Sequence, residues 1–363
     1  MLRIAVLRLS SLGDILLATP LLRQLRRSFP EAELVAVVRR RYVELLQANP
    51  RLTAVLPYQS EGVFWQAERE RRQLRQGLRS PAEELWIVDL HRNWRTWYLR
   101  WGARARLLRA PKQRWRKLLL VWAKRWGWWR LLPVPERYRQ AVAELGIEDD
   151  GEGLEFWLPE ERSAAVYPPA LRPYPVEVRR VALVPGARHA TKRWVADHVV
   201  TLGRLLRCRG YEVVVVGDPA DPAAERLAAA IAPDVECVRT PSLFEVARYL
   251  DGVDLVVAND TGLLHVAAAR RIPVVALFCS TVPELGFAPV GVPSIVVQYP
   301  LPCRPCTPIG RELCPLGHFR CAWELRPEHV FHALEVLQHW LREGVRPHAP
   351  WGPTFGSGAR LRT

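Results

Sequence analysis

A short polar turn near the N-terminus combines residue types that bind phosphate with a single carboxylate. In the segment RIAVLRLSSLGDILLATP, an apolar strand runs into Ser10, Ser11 and Gly13 before a helix begins. Backbone N–H groups at the start of a helix lie at the positive end of its dipole and suit a phosphate. Asp14 would repel a phosphate, so it either caps the helix or performs chemistry, and the turn alone favours the cap.

Two strand ends in the second half of the chain carry dense polar residues. RHATKRW follows the strand VALVPGA and places Thr191 and Lys192 at the start of a helix, where the lysine adds a point charge to an anion site. DLVVA is followed by a polar run that opens an apolar helix. This run contains Asp260, Thr261, Gly262 and His265. The purely structural interpretations are a solvated Lys-Arg pair, a capping Asp260 and a His265 packed in the core.

A third strand end, in YEVVVVGDPADPAAERL, is followed by acidic residues. Asp221 and Glu225 lie where nucleotide-binding sheets place a carboxylate that accepts hydrogen bonds from ribose hydroxyls. An acid in such a loop is also commonly a solvated surface residue. We therefore treat both residues as candidate ribose contacts.

Four of the seven cysteines cluster in CRPCTPIGRELCPLGHFRC. They are Cys303, Cys306, Cys314 and Cys321. The opening C-x2-C matches half of a zinc knuckle, but six residues instead of two separate the second pair. The pattern therefore fits a structural zinc site and a disulfide or free-thiol state equally well, although a cytosolic setting disfavours the disulfide.

The stretch from residue 91 to residue 130 is basic and rich in tryptophan. It contains 13 Arg or Lys, no Asp or Glu and eight of the 15 Trp. Such a stretch contacts a membrane interface, stacks nucleic-acid bases, or forms a solvated helix whose Trp face packs on the core. Because no nucleic-acid-binding motif accompanies it, we expect no nucleic-acid partner.

The length of 363 residues suits two domains. The chain has 52 Lys and Arg against 37 Asp and Glu, and the resulting net charge of +15 favours an anionic partner. The sequence contains no recognisable signal peptide or transmembrane segment, so we expect a cytoplasmic protein.

Apolar strands alternate with amphipathic helices in both halves, which predicts an α/β fold with parallel sheets. In the first half, strands are expected at 3–9, 33–38, 54–58 and 85–90. In the second half they are expected in RRVALV, YEVVVV, DLVVAN and PVVAL. The predicted organisation is a Rossmann-like domain over 1–160, a Pro-rich linker over 161–179, a second Rossmann-like domain over 180–343 and a disordered tail over 344–363. A ligand would bind between the domains, at the carboxyl ends of the strands.

Together these segments resemble glycosyltransferase family 9, the heptosyltransferases that build the inner core of lipopolysaccharide. The markers are LSSLGDILLATP, PGARHATKRW and NDTGLLHVAAARRIPVVALFCSTVP, and the resemblance runs from Leu2 to about Leu337. It implies a GT-B fold of two Rossmann-like domains facing across a cleft. It also implies that the first domain mainly binds the acceptor and the second an ADP-sugar, and that the chemistry is inverting and requires no cofactor.

The resemblance also implies roles for individual residues. Asp14 matches the general base that takes the proton of the acceptor hydroxyl, a role that suits it if the cleft raises its pKa toward neutrality. Lys192 matches the positive charge that a metal supplies in other enzymes, and it would offset the charge on the departing diphosphate. The diphosphate would also contact the backbone of the Ser10, Ser11 and Gly13 turn and of the Thr261 and Gly262 turn. Asp260 and His265 match positions near the donor sugar and phosphates.

The implied acceptor is a phosphorylated glycolipid or polysaccharide precursor at the inner membrane, which predicts peripheral membrane contact. We assign its phosphates, or anionic headgroups, to Arg92, Arg95, Lys112, Arg114, Arg116 and Lys117. Departures from the family pattern in RHATKRW and STVPELGFAPVG leave a UDP- or GDP-hexose donor open. The sequence also leaves open a non-catalytic relative that binds a nucleotide or glycan, and a sugar-nucleotide 2-epimerase.

Overall fold

The computed structural model describes residues 1–59, 64–79, 84–123, 131–345 and 354–355. The chain divides into two compact units. Unit 1 comprises Met1–Lys112 and Val134–Pro168, and unit 2 comprises Gln113–Pro133 and Pro169–Thr363. The segment Gln113–Pro133, which lies between the two parts of unit 1 along the chain, thus belongs to unit 2.

Strands and helices alternate along most of the described chain. The strands are β1 (Leu2–Leu7), β2 (Glu33–Arg39), β3 (Ala54–Tyr58), β4 (Glu84–Asp89), β5 (Arg106–Arg109), β6 (Arg180–Val184), β7 (Glu212–Val216), β8 (Glu236–Val238), β9 (Leu255–Asn259), β10 (Val274–Leu277), β11 (Ser294–Val297) and β12 (Thr354–Phe355). The helices are α1 (Leu12–Leu16), α2 (Thr19–Ser28), α3 (Glu44–Gln47), α4 (Phe64–Arg79), α5 (Trp94–Arg100), α6 (Arg114–Ala123), α7 (Val134–Arg139), α8 (Pro168–Leu171), α9 (Ala196–Cys208), α10 (Ala223–Ile231), α11 (Leu243–Leu250), α12 (Gly262–Ala269), α13 (Arg320–Trp323) and α14 (Pro327–Arg342).

Unit 1 is built on a parallel sheet with the strand order β3-β2-β1-β4-β5. The central strand β1 is a short apolar run, and its residues from Ile4 to Leu7 are buried, as expected for a parallel strand that is covered on both faces. Leu7 pairs with Val37 of β2 and with Asp89 of β4. Because all five strands point the same way, the residues that follow β1, β2 and β4 emerge at one edge of the sheet.

Unit 2 contains a second parallel sheet, in the order β12-β11-β10-β9-β6-β7-β8. Its core is formed by β-branched and aliphatic residues of the strands and by the apolar faces of α9, α10 and α14. Asn259, the last residue of β9, pairs with Leu277, the last residue of β10. The polar residues that follow these two strands are therefore neighbours at the carboxyl edge of the sheet.

The predicted α/β fold with two parallel sheets is confirmed. The strands expected at 33–38 and 54–58 correspond to β2 and β3, while β5, β8 and β11 were not predicted. In the tail predicted to be disordered, Thr354 and Phe355 pair with Val296 and Val297 of β11, and residues 346–353 and 356–363 lie outside the described residues. Across the described ranges, none of the helices is both long and apolar enough to cross a bilayer.

Candidate active site

In unit 1, several neighbouring groups hold the Asp14 carboxylate in place. Ser11 donates to Asp14 Oδ2 from its backbone N at 3.1 Å and from its Oγ at 2.7 Å. Arg8 Nη2 lies 2.5 Å from Asp14 Oδ1, and the hydroxyl of the buried Tyr138 donates to the same oxygen at 3.3 Å. The N-cap position of α1 is Ser11 and not Asp14, but Asp14, the third residue of the helix, does cap it by accepting from the Ser11 backbone N in a capping box.

The electrostatic surroundings of Asp14 favour its ionised form. Burial opposes ionisation, but the charge of Arg8 and the hydrogen bonds from Ser11 outweigh it and hold the pKa of Asp14 well below its usual range. The structure therefore does not meet the condition under which the sequence favoured Asp14 as a base, a pKa raised toward neutrality. The main cause of the lowered pKa is Arg8, which directly follows β1 and whose guanidinium forms an ion pair with the carboxylate.

His91 and three arginines accompany Asp14 at the carboxyl edge of the unit 1 sheet. Burial, together with the charges of Arg8, Arg39 and Arg95, lowers the pKa of His91 to about 4, so its imidazole is neutral near pH 7. Arg8, Arg39 and His91 were not among the predicted site residues. The signal that marks them is their position, because each lies at or just beyond the end of a neighbouring parallel strand.

In unit 2, Lys192 and Asp260 form an ion pair, with Lys192 Nζ 2.6 Å from Asp260 Oδ2. The Thr281 hydroxyl donates to the same oxygen at 2.7 Å. Asp260 is 6% exposed and Thr281 is 1% exposed, so the pair is shielded from water on the carboxylate side. The ammonium group has three donors, of which Asp260 occupies one, and the remaining donors can bind an anion.

Thr191 fixes the turn that carries Lys192. Its hydroxyl donates to Arg311 O at 2.9 Å and accepts from Arg311 N at 2.8 Å, and Ser280 Oγ donates to it at 3.1 Å. The structure thus uses the Thr191 hydroxyl to join the turn to the loop around Arg311 and to the end of β10. Ser280 and Thr281 follow β10. They could have been predicted in the same way as the other candidates, because polar residues that follow a parallel strand are candidate site residues.

The NDTG run surrounds the start of α12. Thr261 is the N-cap of this eight-residue helix and Gly262 is its first residue. His265 lies one turn further and is 2% exposed, which places it in the core of unit 2. Asn259 joins this run to the segment between β6 and α9, since its Oδ1 accepts a hydrogen bond from Trp194 N at 3.2 Å.

The two candidate ribose contacts have ion-pair partners in unit 2. Asp221 Oδ2 lies 3.7 Å from Arg193 Nη1, and Glu225 Oε2 lies 2.6 Å from Arg239 Nη1. Arg193 also donates to Ala187 O at 2.8 Å and so ties Asp221 to the segment that follows β6. Asp221 is therefore linked to the Lys192 turn, whereas Glu225 pairs with the residue that follows β8.

The predicted acceptor contacts and the remaining donor contacts divide between the units. Unit 1 contains Ser10, Ser11, Gly13, Arg92, Arg95 and Lys112, and unit 2 contains Arg114, Arg116 and Lys117. Arg92 Nη1 donates to Ala110 O at 2.8 Å, and the Arg95 guanidinium lies 4.8 Å from the centre of the Trp94 ring. Arg114 and Arg116, in the first turn of α6, are exposed.

The four clustered cysteines do not form a metal site. Among the described residues, no group of three or more His, Cys, Asp and Glu is placed to hold a metal ion. Cys321 is 3% exposed in the core of unit 2, and Cys303 Sγ lies 3.9 Å from His318 Nε2. All seven cysteines lie in the described ranges and none forms a disulfide. In this structure the four cysteines are free thiols, and among the described residues they are not placed as zinc ligands.

Comparison with protein families identifies the chain. A family model described as glycosyltransferase family 9 (heptosyltransferase) matches residues 129–316, more than half of the 363 residues. This chain belongs to glycosyltransferase family 9. The resemblance noted in the sequence is thus confirmed, and the protein is a glycosyltransferase.

Relatives of this family 9 glycosyltransferase match it over nearly its whole length. Lipopolysaccharide heptosyltransferase 1 of Pseudomonas aeruginosa is 27% identical, over 92% of this chain and 98% of its own. The family 9 glycosyl transferase of Veillonella parvula is 18% identical with a TM-score of 0.71, covering 93% of this chain and 97% of its own. E. coli heptosyltransferase WaaC with ADP is 20% identical with a TM-score of 0.64, covering 92% and 99%. These structures confirm the predicted GT-B fold.

Proposed function

We propose that this enzyme transfers heptose, or a similar sugar, from an ADP-sugar to a hydroxyl of a lipopolysaccharide core or related cell-envelope glycan, with inversion at the anomeric carbon. The observation that carries the proposal is the Lys192–Asp260 pair beside the start of α12. It puts a fixed ammonium group and a helix N-terminus at the carboxyl edge of one sheet, which is the arrangement that binds a nucleotide diphosphate. The match to a relative solved with ADP supports the choice of nucleotide.

In the proposed reaction, the acceptor oxygen forms a bond to the anomeric carbon of the donor sugar. The bond between that carbon and the diphosphate oxygen breaks, and its electron pair leaves with the diphosphate. The acceptor proton moves to the Asp14 carboxylate, which later returns it to water. The products are a glycoside of inverted configuration and a nucleoside diphosphate.

The depressed pKa of Asp14 determines when the proton moves in this proposal. A weakly basic carboxylate does not deprotonate a resting hydroxyl, whose pKa is far higher. As the new bond forms, the acceptor oxygen gains positive charge and its proton becomes strongly acidic. Proton transfer to Asp14 therefore accompanies or follows bond formation, and the carboxylate is ready in its ionised form because Arg8 stabilises it.

For the donor, we propose that Lys192 contacts the diphosphate and offsets the charge that grows on its departing oxygen. Asp260 orients the ammonium group, and Thr281 orients Asp260. Backbone N–H groups at Gly262 complete the diphosphate contact, with Asp221 as the proposed ribose contact. In this proposal the charge that assists departure comes from protein side chains.

For the acceptor, we propose a phosphorylated or otherwise anionic glycolipid that the enzyme meets in the cytoplasm, at the inner face of the plasma membrane. The net charge of +15 and the basic residues of the 91–130 stretch support an anionic partner. The names of the curated relatives support a lipopolysaccharide precursor.

A thermal-shift panel tests the donor assignment. A ligand that binds only the folded state raises the melting temperature by mass action. We expect ADP and ADP-heptose to stabilise the protein more than UDP, GDP and their sugars. Stronger stabilisation by UDP- or GDP-sugars would overturn the donor assignment, and the absence of any nucleotide effect would favour a non-catalytic glycan-binding protein.

A further inference from the structure

Helix α6 of unit 2 exposes an apolar stripe. Trp115 is 78% exposed, Leu118 is 56% exposed and Trp122 is 81% exposed. Positions separated by three and four residues lie on one face of a helix, so these three side chains form a continuous surface. Leu120, which points away from this face, is fully buried. Three large apolar side chains left this open on one short helix are unusual for a face that meets only water.

The buried side of α6 is anchored beside the candidate donor site. Leu120 belongs to a small core with Leu131, Val282 and Leu285. Leu131 N also donates to Glu284 O at 3.2 Å. Val282 directly follows Thr281, whose hydroxyl holds Asp260. Helix α6 is therefore fixed to the same loop that orients the Lys192–Asp260 pair.

The surroundings of the stripe carry positive charge. Arg114 and Arg116 are exposed, and neither forms an ion pair with any residue in the described part of the chain. The whole stretch from 91 to 130 contains no Asp or Glu that could neutralise them. The face of α6 thus combines two tryptophans, an aliphatic side chain and uncompensated guanidinium groups.

We propose that α6 docks on an anionic lipid surface, with Trp115, Leu118 and Trp122 entering the boundary between headgroups and acyl chains. Arg114 and Arg116 then lie at the level of the lipid phosphates. Tryptophan prefers this boundary, and basic residues add electrostatic attraction to anionic lipids.

Other occupants fit the stripe less well. A second copy of this chain would bring the same guanidinium groups against one another, which opposes association. A nucleic acid would stack on the tryptophans, but it offers no apolar environment for Leu118. A lipid surface accommodates the aliphatic, aromatic and basic side chains together.

This docking explains how a lipid-linked acceptor reaches the donor segment. If the acceptor is a glycolipid, as proposed above, its sugar extends from the surface on which α6 rests. The anchor through Leu120 and Val282 then places the loop that carries Thr281 close to that surface. The contact proposed for α6 can be measured without any transfer reaction.

The test is co-sedimentation of the full chain with vesicles of phosphatidylcholine alone and of phosphatidylcholine with about 30% of the anionic lipid phosphatidylglycerol. We expect binding to the anionic vesicles that weakens as salt rises. The triple variant Trp115→Ser, Leu118→Ser, Trp122→Ser should lose at least about tenfold in partitioning, since three inserted side chains are removed. Equal binding by the variant, or equal binding to both vesicle types, would overturn the proposal.

A matched control removes three other exposed apolar side chains of unit 2. Ile309, Leu313 and Leu316 are 63%, 81% and 64% exposed, and the variant Ile309→Ser, Leu313→Ser, Leu316→Ser should bind vesicles like the wild type. Both variants should retain the melting temperature of the wild type and its rate on a delipidated acceptor. If the wild type transfers no sugar to the delipidated acceptor, that result contradicts the proposed function, but it does not affect the conclusion from vesicle binding. Binding of the protein to a polynucleotide but not to vesicles would overturn the proposal and would identify nucleic acid as the partner of α6.

Discussion

The Arg8 guanidinium lies 2.5 Å from the Asp14 carboxylate, and this ion pair sets the chemical state of the proposed base. Arg8 follows β1 directly, and Asp14 lies in the first turn of the next helix. The pair is therefore a local product of one strand-turn-helix segment. It keeps the carboxylate ionised near neutral pH.

Replacing Asp14 should remove catalysis and leave nucleotide binding intact. We expect Asp14→Asn to lower kcat by about 10²-fold to 10⁴-fold, the usual contribution of a general base. The affinity for ADP should change less than about twofold, because the side chains proposed to bind the nucleotide, Lys192 and Asp221, lie in unit 2. Steady-state kinetics and calorimetry measure the two effects. Glu31→Gln, at an exposed carboxylate of unit 1, is the control, and wild-type activity in Asp14→Asn would exclude Asp14 as the base.

The pH dependence of stability should report the depressed pKa of Asp14. A carboxylate whose folded pKa lies below its unfolded value of about 3.9 stabilises the fold above that value, and this contribution falls as the pH drops toward the folded pKa. The free energy of unfolding of the wild type should exceed that of Asp14→Asn by about 3 kcal/mol at pH 7, as for a broken buried ion pair.

Urea denaturation of both proteins between pH 7 and pH 3.5 measures this difference. It should stay constant from pH 7 to about pH 5 and shrink below about pH 4. Contributions from the other carboxylates are common to both proteins and cancel. A difference that grows on acidification would mean that the folded pKa is raised instead.

Removing the Lys192 ammonium should weaken the donor site. We expect Lys192→Ala to lower kcat by about 10²-fold, since it removes charge stabilisation of the leaving diphosphate, and to abolish most of the thermal shift produced by ADP. Arg188→Ala, an exposed cation four residues earlier, should retain both properties. If ADP raises the melting temperature of Lys192→Ala as much as that of the wild type, Lys192 does not contact the diphosphate.

The cysteine cluster should bind no structural zinc, so the stability of the protein should not depend on zinc. We expect elemental analysis of protein purified without a metal column to find well below one zinc per chain. A chelator should also leave the melting temperature unchanged, because a structural zinc contributes directly to folding. Stoichiometric zinc with a loss of stability on chelation would show that Cys303, Cys306, Cys314 and Cys321 come together around a metal.

The sequence predicted the sheets well because parallel strands are continuous apolar runs with turns at both ends. It missed β5 and β11, because each has only four residues, RLLR and SIVV, which are too few to show a period. It could not assign α6 to unit 2, since that assignment depends on the contact of Leu120 with Val282 and Leu285, far along the chain.

Asp14, Lys192 and Asp260 became candidates through their positions at strand ends, but their electrostatics required the structure. The rule that polar residues cluster after parallel strands selected Asp14, Lys192 and Asp260. It did not reveal that Arg8 reverses the expected pKa shift of Asp14, because the direction of a side chain is not visible in the sequence. Thr281 was not predicted for a simpler reason, because a single uncharged hydroxyl after β10 does not distinguish a site residue from an ordinary loop residue.

Acceptor-dependent release of ADP from ADP-heptose tests the central claim most directly, with a delipidated inner-core oligosaccharide as acceptor and mass spectrometry of the product. We expect that ADP forms only when the acceptor is present, that the acceptor gains one heptose, and that Asp14→Asn retains about 1% of the rate or less. Consumption of the donor without an acceptor, or an acceptor of unchanged mass, would contradict the assignment as a heptosyltransferase.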